Sequence, residues 1–364
     1  MLRQRHGRQT SDTTPAQAAA GRGRPPRRRT LWPYLWLGLV SLLAACGGGR
    51  PTATSRATQI VPTPPAPTGG VAVATPPQAA SPFAGIETVF VIVLENHNWV
   101  DIQGNPAAPY RNGILLPQAS HAEQYFNPPG THPSLPIYLW FEAGTGFRIA
   151  DARPPSAHHQ PTADHLVAQL ERADIAWKSY QEGIDGATCP LTSAGRYDPK
   201  HNPLVYFDDV TRTNEARNAR CIAHMRPYAE LAADLRADTA ARYNFITPDL
   251  CHDMHDPCAP SNDGIKQGDD WLASAVPPIL ASSAYRRGGV LFVVWDEGAG
   301  GDGPIGLIAL SPRAEGGGYA NTIHYTHSAL LATLQRIFGV GPLLGDAANA
   351  TDLRDLFVAP ASSP

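Results

Sequence analysis

Thr88-Val89-Phe90-Val91-Ile92-Val93-Leu94-Glu95-Asn96-His97-Asn98-Trp99 decides how the rest of the chain is read. Val89, Val91, Ile92 and Val93 are β-branched and favour a strand. An unbroken apolar run favours a strand covered on both faces, as in a parallel sheet between helices. The run ends in an acid, an amide and an imidazole. Open α/β sheets present their chemistry at the carboxyl ends of their strands. A core strand followed by a solvated loop fits the same residues, so the functional reading depends on whether other strand ends carry matching groups.

They do. Tyr243-Asn244-Phe245-Ile246-Thr247-Pro248 reads as a second strand and runs into Asp249-Leu250-Cys251-His252-Asp253-Met254-His255-Asp256. Carboxylate and imidazole ligands at this density suit divalent cations and phosphate chemistry. Gly289-Val290-Leu291-Phe292-Val293-Val294-Trp295 is the strongest strand and ends in Asp296-Glu297-Gly298. Adjacent side chains on a strand point to opposite faces, but a turn just beyond its end brings both carboxylates to one centre. Between these strands lies Thr131-His132-Pro133-Ser134-Leu135-Pro136, whose prolines hold Ser134 off regular structure ahead of a helix. Taken alone, Ser134 reads as a helix cap. Set before a helix N-terminus, it is also where an anion binds and a nucleophile is presented.

Helices are expected over 163–172, 228–235 and 269–280, with strands at Ile175-Ala176-Trp177 and Ile305–Leu310. Another helix opens at His324-Tyr325-Thr326-His327. The segment from Gln181 to Arg226, with Tyr197-Asp198-Pro199-Lys200-His201-Asn202-Pro203, reads as an irregular insertion.

The ends have a different character. Arg22, Arg24, Arg27, Arg28 and Arg29 precede an apolar run, Leu31 to Ala45, too short for the ~20 residues of a stable span. It closes in Leu43-Ala44-Ala45-Cys46-Gly47, which resembles the lipobox of bacterial lipoproteins. Residues 1–46 are therefore expected to be a lipoprotein signal peptide, with lipidation at Cys46. The basic arm is long for such a leader, and translation is expected to start inside it at a non-Met codon. Residues 47–84, rich in Gly, Pro, Thr and Ala, are expected to be a disordered tether, and residues 85–364 the catalytic domain. The chain would then be exported and anchored to the outer face of the cell membrane, or secreted if Cys46 is not used. The net charge of −3 argues against a nucleic-acid partner.

Of five cysteines, Cys189, Cys221, Cys251 and Cys258 remain once Cys46 is set aside. Three pairings are possible. Cys251 with Cys258 is the easier local pair, and Cys189 with Cys221 would close the insertion. Zinc is the rival, without a Cys-x-x-Cys spacing to favour it.

Glu95-Asn96-His97, His132-Pro133-Ser134-Leu135-Pro136, His201-Asn202-Pro203, Pro248 to Asp256, Trp295-Asp296-Glu297-Gly298 and the His324–Leu331 stretch occur in an order that resembles the bacterial phosphoesterase family. That family includes acid phosphatases and non-specific phospholipases C. The resemblance implies a three-layer α/β/α sandwich with a mostly parallel central sheet, alkaline-phosphatase-like. It implies a divalent metal (Mg, Ca, Mn or Zn) held by Glu95, Asn96, Ser134, Asp296 and Glu297. Ser134 is the implied nucleophile, forming a phosphoseryl intermediate. His132, His255 and His324 are expected at substrate oxygens or the leaving group, and His201, His252 and His327 as further substrate contacts. His97 receives no role. Two positions depart from the family pattern: Ile137 stands where Asn is expected, and His252 where Asn is common. The expected activity is phosphomonoester hydrolysis, since the chain lacks the additional C-terminal domains of the larger phospholipases. Phospholipase C action is the alternative, and a non-catalytic surface binder the second. Retention of Ser134, Asp296 and Glu297 speaks against the binder. Nothing in the sequence sets an oligomeric state.

Overall fold

Every residue of the Thr88–Leu94 strand (β1) is buried, so both of its faces are covered. The computed structural model describes residues 81–358. The expected signal peptide, Cys46 and the tether up to residue 80 lie outside the described residues. Phe83, inside the segment expected to be tether, is buried edge-on against Phe357.

The remaining strands in chain order are β2 (Ser120–Ala122), β3 (Tyr125–Phe126), β4 (Trp177–Gln181), β5 (Met225–Pro227), β6 (Tyr243–Thr247), β7 (Gly289–Trp295), β8 (Leu307–Leu310), β9 (Tyr319–Asn321) and β10 (Tyr325–Thr326). Eight form one sheet in the order β5-β4-β6-β1-β7-β8-β2-β9, and β3 pairs with β10 apart from it. From β5 to β7 all neighbours run parallel. β8 is antiparallel to both β7 and β2. β1 sits at the centre, in register with β6 on one side and with the whole of β7 on the other.

The helices sort into two mutually packed sets. Ser134–Ala143, Leu166–Arg172 and His327–Phe338 touch one another, whereas Gly264–Ala281 packs with Leu231–Ala237 and the Arg111–Leu115 turn. With β1 and β7 buried on both faces, this is the expected three-layer sandwich. Each fully buried Val, Ile or Phe contributes roughly 2 kcal/mol, so the central strands fix the frame.

The long strands match their expected positions. Residues 175–177 do not form the expected strand; it begins at Trp177 and continues to Gln181. The helix expected from 163 begins at Leu166, where the His165 imidazole accepts from the Ala168 N–H and caps it. The helix expected from Asp269 begins at Gly264, capped by Asp263. Two disulfides form, Cys189–Cys221 and Cys251–Cys258, as the spacing favoured.

Candidate active site

Three adjacent strands converge on one pocket of charge. β1 delivers Glu95 and Asn96, β7 delivers Asp296 and Glu297, and the loop after β6 delivers Asp253 and His255. Asn96 takes a left-handed backbone (φ 50°), which Asn tolerates better than most residues, and this turns the chain so that consecutive side chains share a centre. The turn is held from both sides. The Glu95 N–H donates to the Asp253 carbonyl (2.7 Å), and the Asn96 N–H to Asp296 Oδ1 (3.0 Å).

Ser134 is the first residue of the Ser134–Ala143 helix and is buried. Its hydroxyl donates to Glu95 Oε2 at 3.0 Å, and the Asn96 amide donates to the same oxygen at 2.8 Å. The Ser134 and Leu135 N–H groups, at the start of the helix, have no intrahelical acceptor, and Pro136 adds no donor. Ser134 therefore stands where unspent amide dipoles meet a carboxylate.

Behind Glu95 lies His201, which is buried. Its Nε2 approaches Glu95 Oε1 at 2.9 Å and its Nδ1 approaches Asp253 Oδ2 at 3.0 Å. Tyr138, one helical turn after Ser134, stacks on the imidazole at 4.9 Å. Burial opposes charge on His201, but the two carboxylates outweigh it and raise its pKa. For Glu95, too, burial works against the charged form, and His201 outweighs it and holds the pKa low. His201 was expected to touch substrate. With both nitrogens facing buried carboxylates, it instead keeps Glu95 ionised.

Asp296 is fully buried. Its pKa is pushed well above the usual carboxylate range, by burial first and then by the charges of Glu95 and Glu297. Its Oδ1 accepts from the Asn96 and Glu297 N–H groups, while Oδ2 has no partner. Glu95 Oε1, Asp253 Oδ2 and the Tyr138 hydroxyl are also buried without an aligned hydrogen bond. Four acidic groups crowded together, with orphaned oxygens among them, fit a divalent cation. Of the residues expected to hold it, Glu95, Asn96, Ser134 and Asp296 are joined by hydrogen bonds. Glu297 is drawn aside to His132 Nδ1, whose Nε2 meets Asp302 Oδ1 at 2.7 Å. Among the described residues, the sets of His, Cys, Asp and Glu whose donor atoms lie within 4.8 Å of one another are Glu95–His201–His255 and Glu182–Asp249–His252.

The other histidines divide. His255 lies in the centre, with Nδ1 at 2.7 Å from Asp256 and Nε2 at 2.9 Å from Lys200 Nζ. His252 is a correction: its Nδ1 is held by Glu182 (2.9 Å) in the separate cluster. His327 is another correction. It is fully buried, donates from Nε2 to the Asp296 carbonyl (2.6 Å) and accepts at Nδ1 from Tyr125 (3.0 Å), so no nitrogen is left for substrate. Burial lowers its pKa to about 3 and keeps it neutral. His324 is exposed and lies on Phe126 at 4.7 Å, with no hydrogen bond to the central cluster. His97 Nδ1 meets the Glu95 carbonyl at 2.8 Å, a loop contact. Ile137 is buried in the helix. Lys200, Asp253, Tyr138 and Asp302 were not singled out from the sequence. Asp253 and Lys200 lay inside motifs noted there, and Tyr138 was four residues from Ser134 on the expected helix.

A mostly parallel sheet with a serine at a helix start and acids at its central strand ends is an alkaline-phosphatase-like fold. Consistent with this, the fold is similar to that of an alkaline phosphatase superfamily protein from Vibrio parahaemolyticus (TM-score 0.50, 10% identity, 73% of this chain and 69% of that one). The model of the Phosphoesterase family matches residues 117–341, and the chain belongs to that family. The phosphatidylinositol-3-phosphatase of Mycobacterium tuberculosis is 28% identical over 280 residues, covering 77% of this chain and 85% of the relative. An acid phosphatase of Aspergillus fumigatus is 26% identical, over 74% of this chain and 59% of its own length. A probable acid phosphatase of Kluyveromyces lactis is 27% identical; this chain spans 48% of it. The protein is a phosphate-ester hydrolase.

Proposed function

We propose that the chain hydrolyses phosphate monoesters through Ser134. The observation that carries this reading is the 3.0 Å hydrogen bond from the Ser134 hydroxyl to Glu95 Oε2, at the N-terminus of a ten-residue helix. Glu95, kept ionised by His201, orients the hydroxyl and draws on its proton. The Ser134 oxygen attacks phosphorus, the ester P–O bond breaks and the leaving alkoxide takes up a proton. The resulting phosphoseryl group is cleaved by water. The amides at the start of the helix and the exposed His132 imidazole face the negative charge that develops. A divalent cation held by Glu95, Asn96, Ser134 and Asp296 supplies Lewis-acid stabilisation of that charge when bound. Monoesters are favoured over phospholipase C substrates because the relatives named above are phosphatases.

Turnover of a chromogenic phosphomonoester beside phosphatidylcholine tests the reading, with and without chelator. Ser134→Ala should lower kcat about a thousandfold. Full activity in that variant would remove the nucleophile assignment, and activity on phosphatidylcholine alone would establish the phospholipase. We also propose export and lipidation at Cys46. Two disulfides in the catalytic domain suit an oxidising compartment. Incorporation of labelled fatty acid that survives Cys46→Ala would refute the anchor.

A further inference from the structure

Lys200 is the only lysine or arginine side chain that the described structure hydrogen-bonds to a residue of the central cluster. It sits in the single turn Pro199–His201, directly before the histidine that braces Glu95. Its ammonium donates to His255 Nε2 at 2.9 Å. Asp256 lies at 2.7 Å from His255 Nδ1, on the other side of the ring. A carboxylate only accepts, so Nδ1 carries the hydrogen and Nε2 carries a lone pair. The hydrogen bonds therefore run in one direction, from Lys200 to His255 to Asp256. No ion pair among the described residues includes Lys200, although its positive charge favours the ionised forms of Glu95 and Glu297. An ammonium has three hydrogens, and His255 uses one.

We propose that Lys200 is the phosphate-binding cation of this site, and that His255, with Asp256 behind it, is a positioning residue that aims the ammonium. The proposal rests on the Ser134 reading for where the substrate sits, but not for its own test. The ligand class is a phosphoryl dianion, whether on an ester or as free phosphate. Lysine suits such a group as a compact point charge. His255 has its lone pair occupied and its hydrogen committed to Asp256. It thus presents no free donor to a leaving group while Lys200 is in place.

The test uses the full chain and inorganic phosphate as probe. Phosphate affinity is read by calorimetry, and as competitive inhibition of a chromogenic phosphomonoester. Lys200→Met should weaken phosphate binding and lower kcat/KM by about 10- to 100-fold, the range for losing one charged hydrogen bond. Lys200→Arg should restore most of both. His255→Ala should weaken phosphate binding about fivefold in the native background and not at all in Lys200→Met, since a positioning residue has nothing left to position there. Unchanged thermal midpoints would show that the folds are intact. The same comparison in Ser134→Ala separates the two readings. Loss of turnover with the Lys200 effect on phosphate retained supports both, and retained turnover removes the nucleophile while leaving Lys200 to be judged on binding. Phosphate affinity within about twofold of the native value in Lys200→Met overturns the proposal. So does a His255→Ala loss that adds in full to that of Lys200→Met.

Discussion

Glu95 and Asp296 both accept hydrogen bonds from Asn96, and the surrounding residues send their pKa values in opposite directions. Glu95 has an imidazolium partner and its pKa is held low; Asp296 is fully buried beside neighbouring acids and its pKa is pushed up. His201→Gln removes the partner and should raise the Glu95 pKa. The acidic limb of the kcat/KM profile would then move to higher pH, with a rate loss of about tenfold or more. An unmoved limb would show that His201 acts only by packing. Residue identity was legible where an apolar run stopped, which is why Glu95, Asn96 and Asp296 could be placed from sequence. Burial was not legible for the histidines. A sequence shows that His201 and His327 can bind phosphate, but not that each has both nitrogens turned to protein groups.

At the scale of elements, two cross-links of similar chemistry serve different ends. Cys189–Cys221 closes 32 residues of the insertion, and Cys251–Cys258 closes seven residues that include Asp253 and His255. Loop-closure entropy predicts a stability loss of about 4 kcal/mol for the first and about 2 kcal/mol for the second when each is replaced by alanines. The smaller loss should carry the larger drop in kcat/KM, because the short loop also anchors the turn after β1 through the Glu95–Asp253 backbone bond. Urea midpoints beside kinetics on the two double variants check the inversion. Strands β1, β6 and β7 were readable from their continuous apolar runs. β2, β3, β9 and β10 are two or three residues long and too short to show a period, so they were not.

For the whole molecule, two buried groups contribute opposite slopes to the way stability follows pH. Glu142 is buried with Tyr243 donating to it, and burial raises its pKa from 4.5 to about 7. Between those values the folded protein holds a proton that the unfolded chain has lost, so stability falls as pH rises. His327 is lowered from 6.5 to about 3. Between those values the unfolded chain holds the extra proton, so stability falls as pH falls. Each effect is on the order of a few kcal/mol, and in the shared window they oppose. Glu142→Gln should remove one slope that falls with rising pH, so unfolding midpoints should climb more, or fall less, through that window than in the native protein. A profile unchanged from that of the native protein would show that Glu142 does not titrate there.

The spacing of β1 and β7 is set by main-chain hydrogen bonds at about 4.8 Å, and Leu94 pairs with Trp295, so Glu95 and Asp296, the next residue on each chain, are held side by side. Protons or a cation must relieve the crowding, and the two compete. Adding a divalent cation to the chelator-stripped protein in weak buffer should therefore acidify the solution, because burial and the neighbouring carboxylates hold the Asp296 pKa high and a cation favours its ionised form. Asp296→Asn should reduce that release. A pH electrode would then follow ion binding without any substrate, and the enzyme would respond to acidification as a weak acid that exchanges its ion for hydrogen.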